Sequence, residues 1–486
     1  MPLRRSWAAA VASIALAPAL AAPVADAAPA PAPNVVVVMT DDQRADDMDA
    51  MPKTRRLLGA HGTTFLNAFV SYPLCCPSRT TFLTGQYSHN HGITWNFEPF
   101  GGYERFAMLG QHNTLPVWLQ RAGYKTGLIG KYLNEYGERR PTEIPPGWDD
   151  WQASVDPTTY LYYGFLMNNN GRLVRYGTAA QDYMTDVYSG LATRFIRRNA
   201  PARKPFFLWV TPNAPHTQTS TGRAEGTPAV PAQRHAERFA TASMPLSASF
   251  GEEDMSDKPE ILRGFAPIDD ERRATALAHW RGRHGSLLAV DDMVERIVDQ
   301  LRRSGELDST VILFTSDNGW LLGEHRIVGQ KYFGFEESIR VPLIARGPGF
   351  PRGRTSRAMA LNVDLAPTIA RTAGARMGRR ADGIALQGPA GARGAPERDM
   401  LVETGPNSLN LPYYQQIHTQ RWVLEEVTTG ERELYDLRTD PAQLSSVAGQ
   451  PAYARVEAAL HARLERLRTC AGSRCHRAAT SPEPAG

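Results

Sequence analysis

The chain has 486 residues, and 54 Lys+Arg against 50 Asp+Glu leave a formal charge of +4, too small a surplus for a nucleic-acid binder. Hydrophobic residues at 42%, charged residues at 21% and aromatics at 9% are those of a packed globular protein, which excludes a disordered chain and a coiled coil. With four cysteines and no long apolar run beyond the N-terminus, neither a disulfide-built scaffold nor a polytopic membrane protein fits.

Arg4-Arg5 precedes an apolar stretch from Trp7 to about Ala22, with Ala19-Leu20-Ala21 and Ala25-Asp26-Ala27 as small-x-small cleavage options. This is the layout of a secretory signal peptide over 1–27, followed by an Ala/Pro linker over 28–33. Pro18 and the Ala/Pro tract speak against an anchor, so the expectation is a secreted protein without stable membrane insertion; the arginine pair leaves both the general and the twin-arginine export routes open.

Asn34-Val-Val-Val-Val-Met-Thr is a β-branched run, the pattern of a strand buried on both faces, and it ends at Asp41-Asp42. Helical periods are expected over Leu115 to Ala122, Tyr183 to Arg198 and Ser286 to Leu301. Between them lie three further strand patterns with polar exits: 125–130 into Lys131, 205–211 into Pro212-Asn213-Ala214-Pro215-His216, and 310–316 into Asp317-Asn318-Gly319. Strands alternating with helices predict a doubly wound α/β sheet, in which ligands bind beyond the carboxyl ends of the strands. From about Thr217 to Asp270 the Pro-, Ser- and Thr-rich chain has little period and is expected to run over the pocket mouth. After a Gly/Arg/Pro-rich span, four short strand patterns (400–403, 414–419, 422–427, 433–437) and a helix from about Ala452 to Arg468 predict a smaller α+β domain over 384–470, with a tail over 471–486. Cys470 and Cys475 are spaced to staple a short loop, whereas the adjacent Cys75 and Cys76 can bridge only with strain and call for another role.

Asp41, Asp42, Asp317 and Asn318 bring three carboxylates and an amide oxygen to two strand ends. Like charges so close need a cation, and hard oxygen donors without thiolate or histidine pairs suit Ca²⁺ or Mg²⁺ better than zinc. Either pair alone is also an ordinary turn sequence.

Cys75-Cys76-Pro77-Ser78-Arg79, followed by Leu83-Thr84-Gly85, resembles the C-x-P-S-R-x-x-x-L-T-G signature of type I sulfatases. The resemblance implies an alkaline-phosphatase-like doubly wound sheet with helices on both faces in a catalytic domain over 34–383, with a smaller C-terminal domain. It implies that a formylglycine-generating enzyme converts Cys75 to Cα-formylglycine, whose hydrate attacks sulfur and expels sulfate as the aldehyde re-forms. Residue by residue it implies Asp41, Asp42, Asp317, Asn318 and modified Cys75 as the calcium shell, Arg79 as the holder of the formylglycine, Lys131 and Lys331 as sulfate contacts, and His216 as the group at the leaving oxygen. His89, His91 and His325 are weaker candidates for the pocket surroundings. One position departs: a histidine often follows the first lysine by two residues as a base, and here it is Leu133, with Asn134, His89 or His91 as substitutes acting through a water.

Gly130-Lys-Tyr-Leu-Asn-Glu-Tyr-Gly137, Pro146-Gly147-Trp148, Leu288-Ala-Val-Asp-Asp292 and Arg346-Gly-Pro-Gly349 are similar to the N-acetylglucosamine-6-sulfatase branch, over roughly Asn34 to Gly383. The resemblance implies a sulfuric ester hydrolase acting on a small-molecule or glycan sulfate ester. Arylsulfatase, phosphonate or phosphate monoester hydrolase, and a silent sulfated-glycan-binding protein are the alternatives.

Overall fold

The computed structural model describes residues 1–3, 7–8, 32–200, 204–220, 226–387 and 398–479. The expected signal peptide and linker, apart from a few positions, and the last residues of the tail lie outside the described residues. Among the described residues no helix is long and apolar enough to cross a membrane.

The main sheet is built from β1 (Asn34–Thr40), β2 (Thr63–Phe69), β3 (Lys125–Gly130), β4 (Asp150–Ser154), β5 (Leu166–Asn169), β6 (Arg172–Arg175), β7 (Phe206–Thr211) and β8 (Thr310–Ser316). A short hairpin, β9 (Leu321–Leu322) with β10 (Val328–Gln330), follows, and β11 (Leu343–Arg346) and β12 (Arg354–Leu361) complete the sheet in the order β12-β2-β11-β8-β1-β7-β3-β4-β5-β6. The five central strands, β8-β1-β7-β3-β4, are parallel, and antiparallel pairings begin at β11 on one side and β5 on the other. Alternation in β1 explains its unbroken apolar run. Val35, Val37 and Met39 enter one core with Phe82, Leu115 and Trp118, while Val36 and Val38 enter a second with Leu191, Val290 and Ile297. Helices therefore cover both faces, as a sheet buried on both sides requires.

The expected helices stand at Leu115–Arg121 and Met184–Asn199, but the third runs from Asp270 to Arg303, sixteen residues earlier than its period suggested. Gly282 and Gly285 and the Arg-rich turns before them hide the repeat. The glycines are there for packing: a Cβ on Gly282 would lie 2.4 Å from the Ala229 carbonyl oxygen, and one on Gly285 2.7 Å from Pro231. The flanking strands β2, β4, β5, β6, β11 and β12 were also not legible, because short or half-buried strands lack the continuous β-branched run.

The C-terminal sheet is an antiparallel meander in chain order, β13 (Met400–Glu403), β14 (Tyr414–His418), β15 (Trp422–Val427) and β16 (Arg432–Asp436), with the Ala454–Leu467 helix packed on it and a Cys470–Cys475 disulfide after it. Its core is not its own: Met400, Ile417, Trp422 and Leu460 share one cluster with Phe69, Tyr87, Ile339 and Leu361 of the large layer.

Candidate active site

Register places the polar exits together. Thr40 pairs with Ser316, so Asp41 and Asp317 leave β1 and β8 at the same level, and β7 and β3 deliver His216 and Lys131 beside them. Lys131 N–H donates to the Thr211 carbonyl at 3.0 Å, an approach that needs glycine before it: at Gly130 (φ 113°) a Cβ would sit 2.3 Å from that same oxygen. Asp42 takes a left-handed conformation (φ 68°), a strained choice for a side chain and one met where a site dictates the geometry.

Cys75 opens the Cys75–Thr84 helix, all of whose residues are buried, and its Sγ lies 3.5 Å from Asp41 Oδ1 and 4.0 Å from Asp42 Oδ1. Lys331 Nζ donates to Cys75 Sγ at 2.8 Å and also pairs with Asp42. Lys131 Nζ meets Asp41 Oδ2 at 2.6 Å. Arg79, one helical turn after Cys75, pairs through Nε with Asp317 Oδ2 at 2.7 Å and lies 3.8 Å from Asp41 through Nη2. Asn318 Nδ2 donates to Asp42 Oδ1 at 2.6 Å, and Asp42 N–H to Asp317 Oδ1 at 3.1 Å. Three carboxylates thus face three permanent cations, all of them buried.

The electrostatics follow. Burial raises the Asp41 carboxyl, but Lys131, His216 and Arg79 outweigh it and hold the group at about 2. Burial pushes the Cys75 thiol up beyond what Lys131 and Lys331 pull back, so as a plain cysteine it is a protonated, poor nucleophile. Lys131 and Lys331 are raised: burial works against their charge, and the neighbouring carboxylates overcome it. His216 spends Nδ1–H on the Thr217 carbonyl at 2.8 Å, which leaves Nε2 facing Asp42 Oδ2 at 3.6 Å. Burial, ahead of the opposing pull of Asp42 and Asp41, lowers its hold on a proton.

Asp41, Asp42, Cys75 and His216 form one of the groups able to hold a metal ion among the described residues. His216 was not expected in that group. Asp317 falls outside it, and its two oxygens accept from Arg79 and the Asp42 amide. Two buried acceptors, Asp42 Oδ2 and Asn318 Oδ1, and one buried donor, Arg79 Nη2, have no hydrogen-bond partner. Buried orphans of this kind are costly, and acceptors facing one centre with a spare donor beside them fit a cation and an anion's oxygens.

The weaker histidines do not join the cluster. His89 binds Glu403 and the Cys470 carbonyl, His91 binds Thr81, and His325 binds Glu252 at 2.6 Å while stacking on Phe335. Leu133 packs in the apolar core and can move no proton. Asn134 does come near, its Nδ2 donating at 2.8 Å to the hydroxyl of Tyr160. Tyr160 and Trp320 were missed: the Tyr160 ring lies 4.9 Å from Lys131 Nζ and 5.0 Å from the His216 ring, and Trp320 lies 5.4 Å from Lys331 Nζ and 6.3 Å from His216. They wall the cluster on two sides. Tyr160 carries no sequence signal, whereas Trp320 directly follows Asp317-Asn318-Gly319 and was findable there.

Comparison with known proteins gives two family matches, Sulfatase over residues 33–375 and N-sulphoglucosamine sulphohydrolase, C-terminal, over 323–470. The second carries the likeness past Gly383, through the smaller domain. An arylsulfatase of Volvox carteri is 34% identical over 91% of this chain and 75% of its own length. The N-acetylglucosamine-6-sulfatase of Homo sapiens is 31% identical over 91% of this chain and 86% of its own. Among solved structures, BT4656 in complex with its substrate D-glucosamine-2-N,6-O-disulfate superposes with a TM-score of 0.75 at 25% identity, covering 92% of this chain and 98% of that one.

Proposed function

The chain belongs to the sulfatase family and is a sulfuric ester hydrolase, and from that premise we propose that it removes sulfate from sulfated carbohydrate at the cluster around Cys75. The observation that carries the reading is one juxtaposition. The cysteine in the C-x-P-S-R register sits on the first turn of a buried helix, within 4.0 Å of two carboxylates and 2.8 Å of a lysine.

In this reading Asp41, Asp42, Asp317 and Asn318 hold a divalent cation, Ca²⁺ or alternatively Mg²⁺, with Cys75 converted to Cα-formylglycine beside them. The ion supplies Lewis-acid charge withdrawal and the hydrated aldehyde an oxygen nucleophile. The chain's own residues do the rest. Arg79 fixes the first turn of the helix against Asp317, and Lys131 and Lys331 neutralise sulfate oxygens in a site closed to water, where such contacts count most. With Nδ1–H held by the Thr217 carbonyl, His216 Nε2 can give the leaving oxygen a proton only from the imidazolium form, which burial opposes and the neighbouring Asp42 and Asp41 carboxylates favour. Leu133 contributes no base.

The glycan class rests on the similarity to N-acetylglucosamine-6-sulfatase and to the structure holding a sulfated glucosamine. The Volvox arylsulfatase, at 34% identity, favours aryl sulfates as the second reading. Further parts of the proposal are export by the 1–27 segment, maturation by a formylglycine-generating enzyme, and a division into 34–383 and 384–470.

Two measurements test it. Tandem mass spectrometry of the Leu57 to Arg79 peptide from secreted protein is expected to find an aldehyde in place of the Cys75 thiol. Sulfate release from N-acetylglucosamine 6-sulfate is expected to exceed release from an aryl sulfate and phosphate release from a phosphate ester. An intact thiol with no turnover overturns the catalytic reading, and faster aryl turnover moves the substrate to the second one.

A further inference from the structure

Asp42 is held by its backbone as well as by its carboxylate. The carboxylate faces Cys75 Sγ at 4.0 Å and His216 Nε2 at 3.6 Å, while the backbone carbonyl accepts a hydrogen bond from Arg283 Nη2 at 2.6 Å. Arg283 stands on the Asp270–Arg303 helix, 241 residues on in sequence, and the same nitrogen also pairs with Asp47 Oδ2 at 2.5 Å. Asp47 accepts the Arg44 N–H at 3.1 Å through that oxygen, so one guanidinium and one carboxylate brace the loop that carries Asp42 in its left-handed conformation. Two turns further along the helix, Asp291 accepts from the Thr54 N–H at 2.6 Å and from its hydroxyl at 2.7 Å. The segment from Asp42 to Thr54 is thereby pinned to the helix at both ends.

The brace is costly. Arg283 and Asp47 are 0% and 2% exposed, and Arg283 Nε and Nη1 are buried without a hydrogen-bond partner. An apolar side chain of similar volume would fill the position without that penalty, so packing does not explain the arginine. What an apolar residue cannot do is bond the Asp42 carbonyl. A side chain in the left-handed region needs such a restraint, because release to extended or right-handed backbone turns the carboxylate away from Cys75 and Lys331. The flanking residues are fixed separately, Asp41 through its N–H to the Ala214 carbonyl at 3.4 Å and Gln43 through its N–H to Ser316 Oγ at 2.8 Å. Arg283 supplies the bond at Asp42 itself.

Resting on the cation reading above, we propose that Arg283, braced by Asp47, is a positioning residue that holds the Asp42 carboxylate in the geometry the cation requires. The test is calcium titration calorimetry on the full chain, with thermal unfolding in chelator as the measure of the fold alone. Arg283→Met is expected to weaken calcium binding about tenfold, the low end of what a charge-assisted hydrogen bond contributes. Asp42→Asn removes the ligand charge yet tolerates the left-handed backbone, and in that background Arg283→Met is expected to change calcium affinity by less than about twofold. In an Asp317→Asn background, where Asp42 is intact, the larger loss is expected to persist. An arginine that served the fold alone would weaken binding equally in every background. Asp47→Asn keeps an acceptor for the Arg44 N–H and is expected to lower calcium affinity about threefold, and in the same cycle it decides the matter should Arg283→Met fail to fold. Unchanged calcium affinity in the folded variants, or equal losses with and without the Asp42 carboxylate, overturns the proposal and leaves the cation reading standing. Failure of the unmutated chain to bind calcium or magnesium overturns the cation reading and the proposal with it.

Discussion

At the scale of single residues the two adjacent cysteines separate cleanly. Cys75 faces the carboxylates and Lys331, whereas Cys76, its thiol raised by burial to about 12, donates its backbone N–H to Asn96 Oδ1 and packs in the core. Cys75→Ala is expected to abolish sulfate release with the fold intact by circular dichroism, and Cys76→Ala to keep most of it; equal loss would contradict the assignment. Cys75 is 1% exposed, so the conversion proposed for it would need the chain unfolded around the motif. The proposed reading gives Asp317 two jobs. It would donate to the cation, and it is the counter-ion of a fully buried arginine 238 residues away in sequence. Asp317→Ala is expected to weaken calcium binding and turnover and also to cost about 3 kcal/mol of stability, because buried Arg79 loses its one close carboxylate and keeps only Asp41 at 3.8 Å. Titration calorimetry and thermal unfolding read the two effects separately, and a chelator response like that of the unmutated protein would refute the metal role.

Elements carry their own pH signatures. His89, on the short Ser88–His91 helix, ties the large layer to β13 through Glu403 and to the Cys470 carbonyl. Burial opposes its charge, but Glu403 prevails and raises it from 6.5 to about 9. A raised histidine contributes stability that is full below pH 6.5 and is lost as pH rises through 9. His89→Gln is therefore expected to flatten the fall in melting temperature over that window. In the meander, Glu425 and Glu433 are cross-strand partners on β15 and β16 and both are buried. Burial, and for Glu425 the neighbouring Glu433 as well, raises both, Glu433 to about 7. Raised carboxyls favour the folded state below their ordinary range near 4.5 and cost stability as pH rises through 7. Glu425→Gln is expected to raise the melting temperature at pH 8 while changing it little at pH 5. A drop at pH 8 would mean that the carboxylate has a partner it needs.

Over the whole molecule the two sheets stand or fall together. The meander and its helix bury their apolar faces in a cluster shared with Phe69, Tyr87, Ile339 and Leu361, and Arg398 reaches back to a buried ion pair with Asp364 at 2.7 Å. A chain ending before Arg398 would expose that cluster, so it is expected to be insoluble or molten, and the full chain to unfold in one calorimetric transition. Two separated transitions would show that each layer has a sufficient core of its own.

Much of this architecture was legible in the residues alone, where the signal is local. The β-branched runs of β1 and β8 announce strands buried on both faces, each followed at once by its acids, and the motif at Cys75 names the family without any fold. Local signals failed where tertiary contacts overrule them. The Asp270–Arg303 helix hides its start behind glycines that exist only to let the 229–231 segment cross it. Tyr160 reaches Lys131 and His216 from a turn with no motif, and Glu252 removes His325 from the site. The amino-acid sequence by itself determined the sheet centre, the acids and cations of the site and the family, because those depend on residue type and short spacing. Only the tertiary structure decided which charges pair, which histidines stand apart and which rings wall the cluster, because those depend on contacts between segments up to hundreds of residues apart.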